Sequence, residues 1–143
     1  MTVNSYRDLE VWQKSVDMVA RIYEATKLFP REELYTLTSQ IRRAAISIPS
    51  NIAEGRGKRS TRDFMRYISI ACGSLAELET QLVIAGKLGY LPAHQLDPLF
   101  DELARIGRML NGMLAGLEKR LSGSPNAGCR MPDALQTVQK VAS

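Results

Sequence analysis

The chain of 143 residues, 45% hydrophobic and 24% charged, has the size and apolar content of one globular domain with one core. Its formal charge of +4 attracts polyanions without naming one, and its two cysteines, Cys72 and Cys129, are too few and too far apart for the disulfide framework of a small secreted fold. Residues 1–8 lack the basic start and apolar run of a signal peptide, and uncharged stretches such as 44–53 fall short of the ~20 residues that cross a bilayer; the expectation is a cytoplasmic chain with no membrane partner.

From about Asp8 to Lys27, Leu9, Trp12, Val16, Val19 and Tyr23 recur at alternating spacings of three and four, which predicts one apolar stripe on a first helix. Pro30 interrupts the pattern, and Arg31, Glu32 and Glu33 supply a polar first turn for a second helix. Its stripe, Leu34, Leu37, Ile41, Ala45, Ile48 and Ile52, passes through Pro49 without losing register. An internal proline costs about 3 kcal/mol, whereas burying a side chain such as Ile52 returns about 1.5–3 kcal/mol. One kinked helix from about Glu32 to Gly55 is the predicted outcome.

Gly55 to Arg59 reads as a short loop, with Ser60 as an N-cap and Asp63 three residues later, as in a capping box. The third helix carries Phe64, Ile68, Ala71, Leu75, Leu78, Leu82 and Ala85, and Gly89 is placed to close it in a left-handed cap. The fourth repeats the rhythm through Leu96, Leu99, Leu103, Ile106, Leu110, Met113, Leu117 and Leu121. Beyond Ser122 the periodicity fails, so residues 1–121 are assigned to a bundle domain and 122–143 to a flexible tail. Short connections keep successive helices adjacent, which predicts an all-α, antiparallel, up-down-up-down four-helix bundle with a kinked second helix.

Little in the chain suggests catalysis or a cofactor. A di-metal centre in a bundle needs histidines paired with inward carboxylates, and His94 is the only histidine. Cys72 lies on an apolar helix face and reads as a small buried hydrophobe rather than a nucleophile. Gly55-Arg56-Gly57-Lys58 lacks the spacing of a phosphate loop. Glu77 and Glu79, two apart on one helix, do not face each other and are expected to form structural ion pairs, Glu77 with Arg42 or Arg43. No catalytic, cofactor-binding or metal-binding residue is therefore assigned.

The most informative local feature is a basic segment, Arg56, Lys58, Arg59, Arg62 and Arg66, opposed only by Glu54 and Asp63. Arg59, Arg62 and Arg66 follow a three-then-four spacing and are expected to project as one ridge along which a phosphate backbone lies. The plainer alternative is an ordinary solvated surface, partly neutralised by Asp63 and Glu54. Gly73, Gly107, Gly112 and Gly116 each cost about 1 kcal/mol in a helix interior, a burden expected to be offset by close approach of another helix, within the bundle or from another subunit; the alternative is a loosely ordered fourth helix.

The segments Tyr6 to Gln13, Leu37 to Ala44, Ser47 to Gly55 and Gly73 to Gln81 together resemble a bacterial four-helix-bundle family named for proteins encoded in intervening sequences of large-subunit ribosomal RNA genes. The resemblance covers about Tyr6 to Leu121 and implies a cytoplasmic protein, a left-handed bundle and a homopentamer. It also implies kinship with basic pentameric accessory proteins of diversity-generating retroelements, which bind nucleic acid and a reverse transcriptase. It brings no catalytic residues. The combined reading is a non-enzymatic oligomeric protein that binds RNA or DNA through phosphates. The alternative is a protein–protein interaction scaffold without nucleic-acid binding.

Overall fold

Four helices and two short 3-10 turns make up the regular structure in a computed structural model, which describes residues 5–123. No strand occurs among the described residues. A 3-10 turn at Tyr6–Asp8 opens the chain, closed by reciprocal bonds in which the Ser5 hydroxyl accepts from the Arg7 N–H and the Asp8 carboxylate accepts from the Ser5 N–H, each at 3.2 Å. Helix α1, Glu10–Thr26, follows directly.

Its buried face is Val11, Ser15, Met18, Ile22 and Thr26, not the stripe expected from the spacing of Leu9, Trp12, Val16, Val19 and Tyr23. Two apolar stripes share this helix. The inner one is interrupted by hydroxyl residues that the core tolerates because each bonds its own helix: Ser15 Oγ donates to the Val11 carbonyl at 2.6 Å, and Thr26 Oγ1 to the Ile22 carbonyl at 2.8 Å. Val16 and Tyr23 are left 40% and 39% exposed on the outer stripe.

Helix α2, Leu37–Arg56, starts later than the expected Glu32 because Arg31–Glu33 forms a separate 3-10 turn. Glu33 then serves as a remote cap. Its carboxylate accepts from Thr36 Oγ1 at 2.6 Å and from the Leu37 N–H at 3.3 Å, and its other oxygen accepts from Tyr90 Oη at 3.1 Å. The bond from Thr36 holds this carboxyl below its ordinary range, while burial and the neighbouring Glu33 push the Tyr90 phenol up. The helix runs unbroken through Pro49, which is buried, and Ile52 lies fully buried one turn on.

Helix α3, Thr61–Lys87, begins at the expected cap, with Ser60 Oγ accepting from the Asp63 N–H at 3.1 Å. Its stripe of Ile68, Ala71, Leu75, Leu78, Leu82 and Ala85 is buried throughout. Gly89, at φ +78°, closes it, with the Tyr90 N–H reaching the Ala85 carbonyl at 2.9 Å. Helix α4, Ala93–Ser122, buries Leu96, Leu99, Leu103, Ile106, Leu110, Leu114 and Leu117, while Leu121 lies 45% exposed. The tail expected over 122–143 falls, from residue 124 on, outside the described residues, as does Cys129.

Each helix packs on two others, α1 and α3 both lying against α2 and α4. Along the α2–α3 seam, pairings ascend on α2 as they descend on α3. On α2 and α3, the Ser47 and Ser74 hydroxyls share a bond of 2.8 Å, and Gly55 abuts Tyr67. On α1 and α2, Arg42 Nε donates to Thr26 Oγ1 at 3.0 Å while its guanidinium lies 4.5 Å from the Tyr23 ring centre. Lys14 of α1 meets Glu102 of α4 at 3.6 Å. Among the described helices, α3 alone is long and apolar enough to cross a membrane by length and composition, and half of its most apolar window is buried inside the bundle, as befits a core helix.

Candidate nucleic-acid interface

One end of the bundle gathers the last turn of α2, the Gly57–Ser60 connection, the first turns of α3, the last turns of α4 and the entry to α1. The closeness of α2 and α3 there depends on Gly55. A Cβ added at that position would lie 2.6 Å from the Tyr67 Cβ and 3.0 Å from a Phe64 ring carbon, so only glycine lets the two backbones converge. The Lys58 N–H then returns to the Gly55 carbonyl at 3.1 Å, turning the chain sharply and keeping the basic residues at this end.

The result is a cleft of about 420 Å³. Its rim carries Arg56, Lys58, Arg59 and Arg120, and its floor is Leu9, Phe64, Met113 and Leu117. Ser60, Thr61 and Gly116 complete the lining, which holds no Asp or Glu. Ser60 and Thr61 also bring the N-terminus of α3 to the cleft, adding the positive end of a 27-residue helix dipole.

The basic segment thus divides. Arg59 precedes the N-cap Ser60 and is not on the helix, so the expected single ridge of Arg59, Arg62 and Arg66 reduces to Arg62 and Arg66, a turn apart on α3. Arg56, Lys58 and Arg59 turn to the cleft, whereas Arg62 and Arg66 lie outside its lining. Tyr67 bridges the two groups, since the Lys58 ammonium and the Arg66 guanidinium each approach its ring centre to 5.2 Å. Arg120 joins the site from about 60 residues further along the chain; reading the charge run alone misses it, whereas pairing the end of α4 with the start of α3 locates it.

The other groups weighed for chemistry stay apart. Glu77 does not pair with Arg42 or Arg43; its carboxylate accepts from Gln81 Nε2 at 3.2 Å, and Arg42 is committed to α1. Glu79 is buried with no hydrogen bond or ion pair among the described residues, and burial pushes its carboxyl up to about 7. Cys72 is half-buried against the core, which raises its thiol above the ordinary value. No group of three or more His, Cys, Asp or Glu among the described residues is arranged to hold a metal ion.

A second surface lies on α1 and α2. Val16, Val19, Ala20 and Tyr23 form one side of an apolar groove of about 460 Å³, and Ile46, Pro49 and Ser50 the other. Tyr35, Arg42 and Arg43 continue it toward the start of α2.

Fold and cleft together define a four-helix-bundle protein with a cationic pocket at one end and an uncovered apolar groove on its flank. The chain belongs to the 23S rRNA-intervening sequence protein family, whose model matches residues 7–112. It is similar to a solved structure from Bacteroides thetaiotaomicron VPI-5482, described as a protein with unknown function from the S23 ribosomal protein family. The two are 25% identical with a TM-score of 0.67, over 73% of this chain and 97% of that one. A search of curated proteins found no match.

Proposed function

We propose that the protein is a non-enzymatic, cytoplasmic homo-oligomer that binds RNA or DNA through its phosphates, at the end of the bundle formed by Arg56, Lys58, Arg59, Arg62, Arg66 and Arg120. The supporting observation is the cleft itself: Lys58, Arg59 and Arg120 converge on it beside the positive end of α3, and no carboxylate is in its lining. Phosphate binding of this kind releases counterions. Affinity for a single strand is expected to fall about tenfold or more between about 50 and 200 mM salt. Fluorescence anisotropy with a labelled oligonucleotide measures this, and a K58A/R59A/R120A variant should weaken binding and flatten the salt dependence. Absence of binding at low salt, or an unchanged slope in that variant, removes the proposal.

Self-association is supported by two exposed surfaces, one apolar and one mixed. The groove between α1 and α2 is one. The other is Ile70, Glu77 and Ile84, which recur every seven residues along α3 and are exposed. The surfaces differ, and Arg43 beside the first complements Glu77 within the second, so copies pair head to tail and close as a ring. Five copies is the number the family resemblance implies. The same groove favours a second reading, a scaffold for another protein. Co-purification of one protein after nuclease treatment, with no affinity for oligonucleotides, would select it.

A further inference from the structure

We infer that the cleft takes one unpaired nucleotide of a single strand, its phosphate on the cationic rim and its base on the apolar floor. This rests on the phosphate-binding reading above and narrows it from nucleic acid in general to unpaired strands.

The lining has two chemistries, and a duplex satisfies only one of them. A double helix presents phosphates outward and keeps its bases stacked, so it neutralises the rim while the half-buried Phe64 and Met113 of the floor gain no cover. An unpaired base offers a flat apolar face that covers them. The cleft, about 420 Å³, lies within the range of about 300–1,000 Å³ typical of clefts for small ligands and is far too small for a duplex. Its polar side chains do not spell a base edge, for Ser60 Oγ is engaged by the Asp63 N–H. Discrimination among bases is accordingly weak.

The ligand is part of a strand, because cations continue beyond the cleft. Arg62 and Arg66 follow along α3, and the contacts of Lys58 and Arg66 with Tyr67 make the path from one group to the other continuous. A neighbouring phosphate has somewhere to go, which a mononucleotide cannot use.

Gly116 supplies an independent observation. It stands inside α4, where glycine costs about 1 kcal/mol, yet a Cβ there would meet nothing within 4 Å. Packing within the chain does not require a glycine at this position. Gly112 has the same open surroundings, but Gly116 lines the cleft, so a large side chain there is expected to enter the space the base takes.

The test compares four labelled probes on the full-length protein: a single strand of about 12 nucleotides, its duplex, an abasic strand with the same backbone, and a mononucleotide. The single strand is expected to bind about tenfold tighter than the duplex or the abasic strand, and the mononucleotide far more weakly. Gly116→Phe should erase the preference for the single strand over the duplex and the abasic strand, and Gly116→Ala should retain it. Equal binding of single, duplex and abasic strands by the unaltered protein overturns the inference whatever becomes of the Gly116→Phe variant, and so does a mononucleotide that binds as well as the strand. In both cases weakening of all strands by K58A/R59A/R120A would leave phosphate binding itself standing. Failure of every probe to bind at low salt sinks the broader function and this inference with it.

Discussion

Glu79 is 5% exposed among the side chains of the core, yet nothing among the described residues pairs with it. Loss of solvation raises its carboxyl to about 7 from an ordinary 4.5. Between those two values the folded chain retains a proton that the unfolded chain has released, so stability falls as pH rises through that window and levels off above it. Glu79→Gln removes the ionisation while keeping the shape. Relative to the parent, this variant is expected to gain about 1–2 kcal/mol at about pH 8 and close to nothing at about pH 4, read from urea unfolding at each pH. An equal gain at both pH values would show that the carboxylate is solvated or paired in the folded state. Sequence spacing places Glu79 beside the apolar stripe of α3, but only the packed structure separates it from Glu77, which reaches the surface and bonds Gln81.

At the scale of elements, α3 and α4 are legible because on each the longest stripe of Ile, Leu and Ala is the one that is buried; the outer Ile70 and Ile84 of α3 are interrupted by Glu77. On α1 the outer stripe is the more apolar of two, and hydroxyls whose bonds to their own helix cannot be read from composition occupy the inner one. The start of α2 is obscured for a related reason: its cap is Glu33, four residues before Leu37 and part of another turn. Of the interface, the run Arg56, Lys58, Arg59 is visible as charge. Its division from Arg62 and Arg66, and the arrival of Arg120, depend on where the N-cap of α3 falls and on how α4 returns. Glycines show the same limit, for the chain does not reveal which one backbone packing requires. At Gly55 a methyl group would collide with the Tyr67 Cβ, an atom fixed to the backbone, whereas at Gly112 it would meet open space. Gly55→Ala is therefore expected to lower stability by about 1–3 kcal/mol through overpacking, and Gly112→Ala to raise it by about 0.5–1 kcal/mol through helix propensity. Urea midpoints at unchanged m-value measure both, and a neutral Gly55→Ala would mean that α2 and α3 separate freely at this end.

For the whole molecule, the groove and the cleft are on different parts of the surface, and their separation makes assembly and binding independently testable. Val16 and Ile46 line opposite sides of the groove and are 40% and 42% exposed, so a glutamate at each sits in water in the isolated chain but loses that solvation when a second copy covers the groove. The V16E/I46E variant is expected to keep its helical circular dichroism and to sediment as a monomer. Binding then separates by ligand length. A short strand engages one cleft and should lose little affinity. A strand long enough to visit several clefts gains effective concentration from the ring, and in the monomer it should weaken by about 10²-fold or more without the loss of a single cation. A variant that remains assembled would exclude the α1–α2 groove as the subunit contact, and a monomer that holds long strands as tightly as the parent would show that each cleft acts alone.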